Sequence, residues 1–499
     1  MTGAPLLIAT APGRTVRAVR RAVEAAAQAG ADLVEVRVDR LDPAERGHLE
    51  TLFDPPPPVP LVGTYRSRAE GGEGEDAGPA REAVLRGLVA LPFGYVDIER
   101  ARDSLPSTGA SGPTPRIILS THHPAGADIG ALRRSLGASV PPGGFVKAVV
   151  PSTLRRFYAE IGPQTADLRN PDHLLLTTGP SGPIVRVAAP RYAAAVVYAG
   201  PPRDSGERPV DPAQPPVDSL HRFYAGGDRR RLFAILGHPV SHSASPGIHH
   251  LWFAGRGLPG VYVPLDVETA SEFREVLPRL RDDGLAGCNV TMPWKSEALA
   301  AADHSTPEAA RAGCANALTR QGDGWVADNF DVAALRRRLT ELRERGRWPG
   351  DEVLVLGSGG AARAAAVAAQ ALGAAVRIAA RREDAARTLA REFGAEVERH
   401  PDRTAPLIVQ ATGAGFGEGD PPIEFPWEGH LAPGSHVLDL VYGPPGRRIE
   451  RRVLAAGGTY EDGARILVYQ AAESFRRWWG IETGPAELAA ALAEVGCTA

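Results

Sequence analysis

The sequence predicts an α/β protein with two different α/β regions, a (β/α)₈ barrel followed by a region built on open sheets. Eight short apolar runs alternate with helical patterns across residues 1–200, which is typical of parallel strands joined by helices. A glycine-rich turn stands between a strand and a helix at residues 351–363, as in an open parallel sheet. A proline-rich stretch at residues 201–230 separates the two regions and indicates a lid and linker.

Composition excludes several classes of protein. A net charge of −3 over 499 residues provides no basic patch for nucleic acid. Cys288, Cys314 and Cys497 are too few and too scattered for a disulfide framework or a zinc site, and they indicate a reducing compartment. The first residues lack the pattern of a signal peptide, and no run of about twenty apolar residues exists. We therefore expect a cytoplasmic protein that holds no metal and does not enter a membrane.

Lysine is confined to two positions. The chain has 56 lysines and arginines, but only Lys147 and Lys295 are lysines. Arginine stays protonated and cannot act as an amine nucleophile or a proton shuttle, whereas lysine can do both when its pKa is lowered. The two lysines are either surface residues that arginine could replace or reactive amines, and their neighbours decide between these interpretations.

Eight strands are predicted in the first region, with helical patterns at 15–29, 79–90 and 129–136 among the connections. Eight such units fit a closed barrel, in which chemistry takes place where the strands end. The predicted strands are residues 6–10, 33–39, 61–66, 95–99, 116–122, 144–150, 173–179 and 194–200.

Charged and titratable residues follow the predicted strand ends. They are Glu35, Arg37 and Asp39, alternating on one face of strand 2, Arg66 at the end of strand 3, and His122 and His123 at the end of strand 5. A structural ion pair is the alternative for each carboxylate and arginine.

Lys147 lies inside the apolar run Phe-Val-Lys-Ala-Val-Val of strand 6. Burial there disfavours the charged amine and should lower its pKa. A lysine and a histidine in one barrel mouth indicate imine chemistry: Lys147 attacks a ketone, the iminium acidifies the neighbouring C–H, and His122 removes that proton. The same histidine could later protonate a leaving hydroxyl.

These residues resemble type I 3-dehydroquinate dehydratase. The matching motifs are Glu-x-Arg-x-Asp (35–39), Arg-Ser-x-x-Glu-Gly-Gly (66–72), Ser-x-His (120–122) and Val-Lys (146–147), within a likeness that covers nearly all of residues 1–220. The resemblance implies that Lys147 forms an imine, that His122 is the general acid and base, and that Glu35 assists or orients His122. It also implies that substrate hydroxyls and carboxylate are held by Arg37, Arg66 and Arg186, and that Gln214 lies on a closing loop.

The first region departs from that family at Thr121, where an aromatic residue is usual, and at His123, where Asp or Asn is usual. The choice between His122 and His123 as the catalyst therefore stays open.

The second region begins with a strand at 231–237 that ends in Gly-His-Pro-Val-Ser-His-Ser-Ala-Ser-Pro. Ser243 and Ser245 share a face of an extended chain and could bind a small polyol or carboxylate, or else cap a turn or helix. Further on, Asn289, Thr291 and Lys295 surround an apolar strand end. If Lys295 meets Asp331, the two form an acid/base couple.

The glycine-rich turn follows the strand 353–356 and precedes an alanine-rich helix. Gly357, Gly359 and Gly360 would place a pyrophosphate on the helix N-terminus. The next strand, 376–380, ends in Arg381 and Arg382. An acidic residue there would bind a ribose hydroxyl, so two arginines favour the 2′-phosphate of NADP, unless they only reflect the arginine excess.

Together these stretches are similar to shikimate dehydrogenase over about residues 230–490. The matching motifs are Gly-x-Pro-Val-x-His-Ser-x-Ser-Pro (237–246), Asn-Val-Thr-Met-Pro-x-Lys (289–295), Ala-Asn (315–316), Asn-x-Asp (329–331), Gly-x-Gly-Gly-Ala (357–361), Asp-Gly (462–463) and Gln-Ala-Ala (470–472). The resemblance implies that Lys295 and Asp331 are the catalytic couple. It implies that the substrate is bound by Ser243, Ser245, Thr291, Asn316 and Gln470. It also implies that the NADP site is formed by Gly357, Gly359, Gly360, Ala361, Arg381, Arg382, Thr412, Tyr442 and Gly463. The chain departs from that family at His250, Phe330, Gln410 and Gly443.

The two implied reactions are consecutive, so the sequence predicts a bifunctional dehydratase–dehydrogenase of aromatic amino acid synthesis. The predicted domains are a barrel at 1–224, a substrate-binding domain at 225–335 completed by 464–499, and a Rossmann NADP-binding domain at 336–463. One alternative is that the second module acts on quinate or an aminated shikimate analogue. Another is that one module is inactive and regulatory. We expect small-molecule substrates only, and a monomer or homodimer.

Overall fold

The structure is a computed structural model that describes residues 4–103, 114–168, 170–192, 194–399, 403–413, 427–443 and 448–496. Cys497 therefore lies outside the described residues. The chain divides into two compact units, Met1–Phe233 with Phe253–Leu285 and Ala234–Trp252 with Ala286–Ala499. In the described ranges, no helix is both long enough and apolar enough to span a bilayer.

The first unit is built on eight parallel strands, which confirms the predicted barrel. The sheet runs in the order β8–β1–β2–β3–β4–β5–β6–β7, and within the described residues no ladder joins β7 to β8, so the barrel is nearly closed. The strands are β1 Leu6–Ala11, β2 Leu33–Arg37, β3 Leu61–Thr64, β4 Tyr95–Glu99, β5 Arg116–His122, β6 Phe145–Pro151, β7 His173–Thr178 and β8 Val196–Ala199.

One strand prediction needs a correction. Strand β2 ends at Arg37, and Asp39 lies in a 3-10 turn, Val38–Arg40. Asp39 therefore does not continue the alternating face of Glu35 and Arg37, because the chain leaves the extended conformation after Arg37.

Helices connect most of the barrel strands. Helix α1 shows why they form: Thr15 caps its N-terminus by accepting from the amide of Ala18, and the buried Val16, Val19 and Val23 recur at helical spacing. The helices are α1 Val16–Gln28, α2 Pro79–Ala90, α3 Ile129–Leu136, α4 Leu154–Arg156, α5 Gly162–Gln164, α6 Gly182–Val187 and α7 Val217–Ala225.

The barrel core is apolar, and it includes Ile8, Val62, Ile118, Leu174 and Val196, which are all essentially buried. Arg37, Glu99 and His122 end strands β2, β4 and β5, and Lys147 lies inside β6. This arrangement positions them at the end of the barrel where (β/α)₈ folds carry their active sites.

The boundary between the units cuts through three elements, β9 Arg231–Gly237, α8 Ser245–Gly255 and β11 Leu285–Val290. Two further elements, β10 Gly260–Asp266 and α9 Ala270–Asp282, group with the barrel. The predicted division into three domains therefore stays a prediction, although α7 ends next to the predicted boundary at residue 224.

The second unit contains a mixed sheet, in which β9, β11, β13, β14 and β12 lie side by side in that order. Strand β13 runs antiparallel to both β11 and β14, whereas β12 is parallel to β14. The remaining elements of this part are α10 Lys295–Ala300, β12 His304–Ser305, α11 Pro307–Ala312, β13 Ala317–Gln321, β14 Gly324–Asp328 and α12 Phe330–Glu344.

The third sheet is parallel and has the order β17–β16–β15–β18–β19–β20. That is the doubly wound Rossmann order, whose ligand crevice lies at the carboxyl ends of its two central strands, here β15 and β18. The elements are β15 Glu352–Leu356, α13 Gly360–Ala371, β16 Ala375–Ala379, α14 Glu383–Phe393, β17 Glu396–Val397, β18 Leu407–Gln410, β19 His436–Asp439, α15 Arg448–Ala455, β20 Thr459–Glu461, α16 Ala464–Trp479 and α17 Pro485–Glu494.

Candidate active sites

A cavity of about 640 Å³ opens at the carboxyl ends of the barrel strands. All the residues proposed for the barrel site line it: Glu35, Arg37, Arg66, His122, Lys147, Arg186 and Gln214. The barrel topology therefore brings together residues that are as far as 179 positions apart in the chain.

Lys147 lies on β6 with only 4% of its side chain exposed. Its Nζ is 2.5 Å from Oδ2 of Asp97 and 3.3 Å from the hydroxyl of Tyr198. Burial alone would raise the pKa of Asp97, but Arg66 and Lys147 outweigh it and hold that pKa well below its ordinary value. The reactive amine is therefore paired with an ionised carboxylate.

Asp97 was missed by the sequence analysis, although a signal for it existed. Asp97 and Glu99 alternate along β4, as Glu35 and Arg37 do along β2, so both point to one face of the strand. Two carboxylates on the inner face of a buried strand would have predicted partners for Lys147 and for the arginines.

Arg66 connects the acidic groups of this site. Its Nη2 is 2.8 Å from Asp97, and its Nη1 is 3.1 Å from both Glu70 and Glu99. The same Nη1 donates to Ser120 Oγ at 3.0 Å. Burial would lower the pKa of Arg66, but these carboxylates raise it further above its ordinary value. Arg66 is a permanent cation that balances three acids.

His122 is held by Glu70. The Nδ1 of His122 lies 2.9 Å from Glu70 Oε2, and its backbone amide donates to the same oxygen at 3.1 Å. Burial lowers the pKa of His122 well below its ordinary value, and the charges of Arg66 and Lys147 add to this effect. Burial also raises the pKa of Glu70 to about 7. His122 is therefore neutral at neutral pH and can accept a proton.

Glu35 does not make the orienting contact that we expected. Its carboxylate accepts from Thr10 Oγ1 at 3.2 Å and from Thr64 Oγ1 at 2.9 Å. In the described part of the chain, Glu70 and not Glu35 bonds the ring of His122. A part for Glu35 in catalysis stays a prediction, based on its position in the cavity wall.

His123 also lines the cavity, but its ring bonds elsewhere. Its Nε2 lies 3.1 Å from Ser135 Oγ on α3, and burial lowers its pKa. The contact with Glu70 and the influence of Lys147 belong to His122. These contacts support His122 rather than His123 as the acid–base group.

Two of the predicted substrate ligands already have partners inside the barrel. Arg37 forms a bidentate pair with Asp39, at 2.9 Å and 2.8 Å. Gln214 donates through Nε2 to Thr10 Oγ1 at 3.3 Å, while its buried Oε1 finds no hydrogen-bond partner within the described residues. An unsatisfied buried acceptor is costly, and this one lies in the cavity wall.

A second cavity, of about 190 Å³, lies in the second unit. All the residues predicted for catalysis and substrate binding there contribute to its wall: Ser243, Ser245, Thr291, Lys295, Asn316, Asp331 and Gln470. The fold thus assembles this predicted set as well.

Lys295 and Asp331 form the predicted couple. Lys295 begins α10, Asp331 lies in the first turn of α12, and Nζ is 2.5 Å from Oδ2. Their side chains are 16% and 15% exposed. Burial alone would lower the pKa of Lys295, but Asp331 outweighs it and raises that pKa above its ordinary value. Lys295 is therefore protonated at neutral pH and can serve as an acid.

Asn316 holds the carboxylate of Asp331. Its Nδ2 donates to Asp331 Oδ1 at 2.8 Å, and its Oδ1 accepts from the amide of Phe330 at 2.7 Å. The sequence indicated substrate binding for Asn316, whereas these contacts identify a positioning contact as well. Phe330, a departure from the family pattern, contributes its backbone amide here, and its side chain is buried.

Other polar groups of this cavity bond to one another. Ser245 donates its amide to Ser243 Oγ at 3.3 Å, and Ala244 donates its amide to the hydroxyl of Tyr442 at 3.2 Å. The Oε1 of Gln470 accepts from Asn289 at 3.4 Å. The hydroxyls of Ser243 and Tyr442 therefore face the segment that precedes α8.

The glycine-rich turn fits a dinucleotide. Gly357 has a φ of +127°, and a Cβ there would lie 2.8 Å from the carbonyl oxygen of Ala411. A Cβ on Gly360 would lie 2.9 Å from Cδ of Lys295. Backbone conformation and space thus require glycine at Gly357, whereas at Gly360 the side chain of Lys295 would have to shift. Helix α13 begins at Gly360, where its N-terminal amides can bind phosphate.

The rest of the predicted cofactor site agrees with this placement. Arg381 and Arg382 are exposed immediately after β16, where a 2′-phosphate would be bound in this fold. Ala361, Thr412, Tyr442 and Gly463 line the second cavity. These residues fit NADP, for which Arg381 and Arg382 would supply the positive charge that its extra phosphate requires.

The folds and sites define a lysine-containing barrel of the imine-forming type joined to a Rossmann oxidoreductase. Residues 8–226 match the family model for type I 3-dehydroquinase, and residues 235–318 match that for the shikimate dehydrogenase substrate-binding domain. The chain belongs to the shikimate dehydrogenase family, and the region ahead of that part matches the type I 3-dehydroquinase model. Both resemblances drawn from the sequence are confirmed.

Curated relatives cover the second half. The shikimate dehydrogenase (NADP(+)) of Cereibacter sphaeroides is 36% identical over 259 residues, which are 50% of this chain and 92% of that protein. The protein of the same name from Anaeromyxobacter dehalogenans is 37% identical over 273 residues, 53% of this chain and 96% of that protein. Among solved structures, the shikimate 5-dehydrogenase of Thermus thermophilus with NADP(H) and shikimate is 32% identical, covers 53% of this chain and 99% of its own, and has a TM-score of 0.46.

Proposed function

We propose that this chain catalyses two consecutive steps of the shikimate pathway. The barrel dehydrates 3-dehydroquinate to 3-dehydroshikimate, and the second unit reduces 3-dehydroshikimate to shikimate with NADPH. The observation that carries the proposal is the placement of the only two lysines. Each lysine lines its own cavity and lies 2.5 Å from a carboxylate. Lys147 falls within the residues that match one family and Lys295 within those that match the other.

In the barrel, Lys147 gives up a proton to solvent, its amine attacks the substrate ketone, and loss of water gives an iminium. The carboxylate of Asp97, already 2.5 Å from Nζ, stabilises that positive charge. His122 removes a proton from the carbon next to the iminium, and the enamine then expels the neighbouring hydroxyl, which His122 protonates. Hydrolysis of the imine releases 3-dehydroshikimate and restores Lys147, so that one water is lost overall.

In the second unit, Lys295 donates a proton to the ketone oxygen of the substrate. NADPH, when bound, supplies the hydride for the same carbonyl. Asp331 keeps Lys295 protonated and in place, and Asn316 fixes Asp331 through its Nδ2. Ser243, Ser245, Thr291 and Gln470 bind the hydroxyls and carboxylate of the substrate.

The cofactor is assigned to the Rossmann sheet. Gly357, Gly359, Gly360 and Ala361 approach the pyrophosphate at the start of α13, and Arg381 and Arg382 bind the 2′-phosphate. Thr412, Tyr442 and Gly463 line the nicotinamide end. The tight packing of Gly357 against Ala411 supports this assignment.

The rival interpretation, a quinate or aminoshikimate-type dehydrogenase, is not favoured, because the curated relatives are named shikimate dehydrogenases. The proposed setting is the cytoplasm, and the proposed state is a monomer or a homodimer with no nucleic-acid partner. Light scattering on the purified chain tests the oligomeric state.

The decisive experiment supplies 3-dehydroquinate and NADPH to the purified chain and follows NADPH oxidation together with shikimate formation. We expect both. Accumulation of 3-dehydroshikimate with NADPH untouched would restrict the proposal to the barrel. If the chain also fails to reduce 3-dehydroshikimate supplied directly, while it oxidises quinate or an aminated shikimate analogue with NADP⁺, the shikimate dehydrogenase assignment is wrong.

A further inference from the structure

Arg186 lies at the seam between β7 and β8, where the strand ladder is interrupted within the described residues. Its side chain is 3% exposed. Its Nη1 donates to the carbonyl of Thr177 on β7 at 2.8 Å, and its Nε donates to the carbonyl of Tyr198 on β8 at 3.1 Å. The guanidinium thus bridges the two edge strands of the barrel and lines the cavity.

The guanidinium also donates through Nη1 to the carbonyl of Gly182 at 2.9 Å, and it contacts a loop. Nη2 of Arg186 lies 2.9 Å from Oδ2 of Asp211, which also lines the cavity. The other oxygen of Asp211 accepts from the amide of Ala213 at 2.9 Å. Gln214 lies three positions after Asp211, and its buried Oε1 lacks a partner in the described residues. One short loop therefore presents both a carboxylate and an unsatisfied acceptor to the cavity.

The charge balance at Arg186 differs from that at Arg37 and Arg66, the other two arginines predicted to hold substrate. Arg66 faces three carboxylates, and Arg37 pairs with Asp39, whose side chain is fully buried. Arg186 is otherwise bound by neutral carbonyl groups, so Asp211 supplies the carboxylate for this cation in the described part of the chain.

The position of Asp211 makes its contact exchangeable. Its side chain is 22% exposed and belongs to a loop, whereas Asp97 and Glu99 are anchored in a strand. A buried guanidinium needs an anion, and replacing one carboxylate by another leaves the charge of the site unchanged. The carboxylate of a bound substrate can therefore take the place of Asp211 without opening the barrel.

We propose that Asp211 competes with the carboxylate of the substrate for Arg186, so that this loop residue sets the affinity of the barrel for its substrate. The proposal rests on the proposed dehydratase function. Removing the negative charge leaves Arg186 without its carboxylate and should strengthen the binding of carboxylate ligands, because charge-assisted hydrogen bonds are about twice as strong as neutral ones.

The test uses the full chain and measures dehydratase activity without NADPH, so that only the barrel is observed. Asp211→Asn preserves the acceptor for the Ala213 amide but removes the charge. We expect the KM for 3-dehydroquinate and the inhibition constant of quinate, which lacks the reactive ketone, to fall about tenfold, with kcat unchanged or lower. Asp204→Asn, at an 80% exposed position of the same segment, makes the same charge change and should alter neither constant.

A second variant and a second measurement keep the result decisive. Asp211→Ala should also tighten quinate binding, and less 3-dehydroquinate should be needed for half-maximal borohydride trapping of the imine at Lys147. If both variants bind more weakly, Asp211 anchors the loop and does not compete. Unchanged constants would equally overturn the proposal. A wild-type chain that forms neither 3-dehydroshikimate nor a trapped imine would instead show that the dehydratase function itself is wrong.

Discussion

One carboxylate oxygen of Glu70 contacts His122 at two points, its Nδ1 at 2.9 Å and its backbone amide at 3.1 Å. Both contacts reach across 52 positions of the chain. They fix the orientation of the ring relative to Lys147, the group proposed to form the imine with substrate. Glu70 is therefore the residue that holds the ring in this structure, whereas the resemblance implies that Glu35 assists or orients His122.

The pH dependence of the dehydratase should follow this pair. Burial raises the pKa of Glu70 to about 7 and lowers that of His122. An ionised Glu70 accepts from Nδ1–H and strengthens the opposite ring nitrogen as a base, so kcat/KM should rise as pH increases through about 7. Glu70→Gln should remove this rise and lower kcat by roughly ten- to a hundredfold. Steady-state kcat and kcat/KM, measured against pH for the unmodified chain and for Glu70→Gln, test both effects. A variant with the same pH profile as the unmodified chain would contradict the role of Glu70.

Each lysine should be needed for its own reaction only. Lys147→Arg keeps a positive charge next to Asp97 but cannot form an imine, so dehydration should fall by at least about a thousandfold while reduction of 3-dehydroshikimate continues. Lys295→Arg should show the reverse pattern. Separate assays of the two reactions make each variant the folding control for the other. Survival of both activities in either variant would refute the proposed roles.

Asn316 should act through Asp331. Asn316→Ala removes the 2.8 Å contact with Oδ1 and leaves the carboxylate free to turn away from Lys295. We expect kcat for ketone reduction to fall about tenfold or more, with a smaller change in the KM for 3-dehydroshikimate. Dehydratase activity of the same sample reports whether the chain is folded. A rise in KM alone would mean that Asn316 only binds substrate.

The choice of cofactor should depend on the pair of arginines after β16. Replacing Arg381 and Arg382 together by alanine should raise the KM for NADPH about ten- to a hundredfold and leave that for NADH within about twofold, because only NADPH carries the extra phosphate. Arg387→Ala is the matched control, since this exposed arginine of α14 pairs with Glu383. Equal losses with both cofactors would argue against a 2′-phosphate site.

The local pattern of the sequence determined much of this protein. Periodicity and glycine placement predicted the eight barrel strands and the turn before α13, because backbone conformation depends chiefly on neighbouring residues. The motifs around Lys147 and Lys295 predicted which residues line each cavity. The alternation of Asp97 and Glu99 was visible too, and it could have been used to predict acidic partners inside the barrel.

Only the tertiary structure decided which of these residues are partners. Lys147 meets Asp97 across 50 positions, His122 meets Glu70 and not Glu35, and Asn316 binds the carboxylate of Asp331. Such pairings depend on strand order, on where each strand ends and on the rotation of each side chain around the barrel. The periodic patterns that predict strands and helices do not determine these pairings, because the pairings arise when distant segments pack against each other.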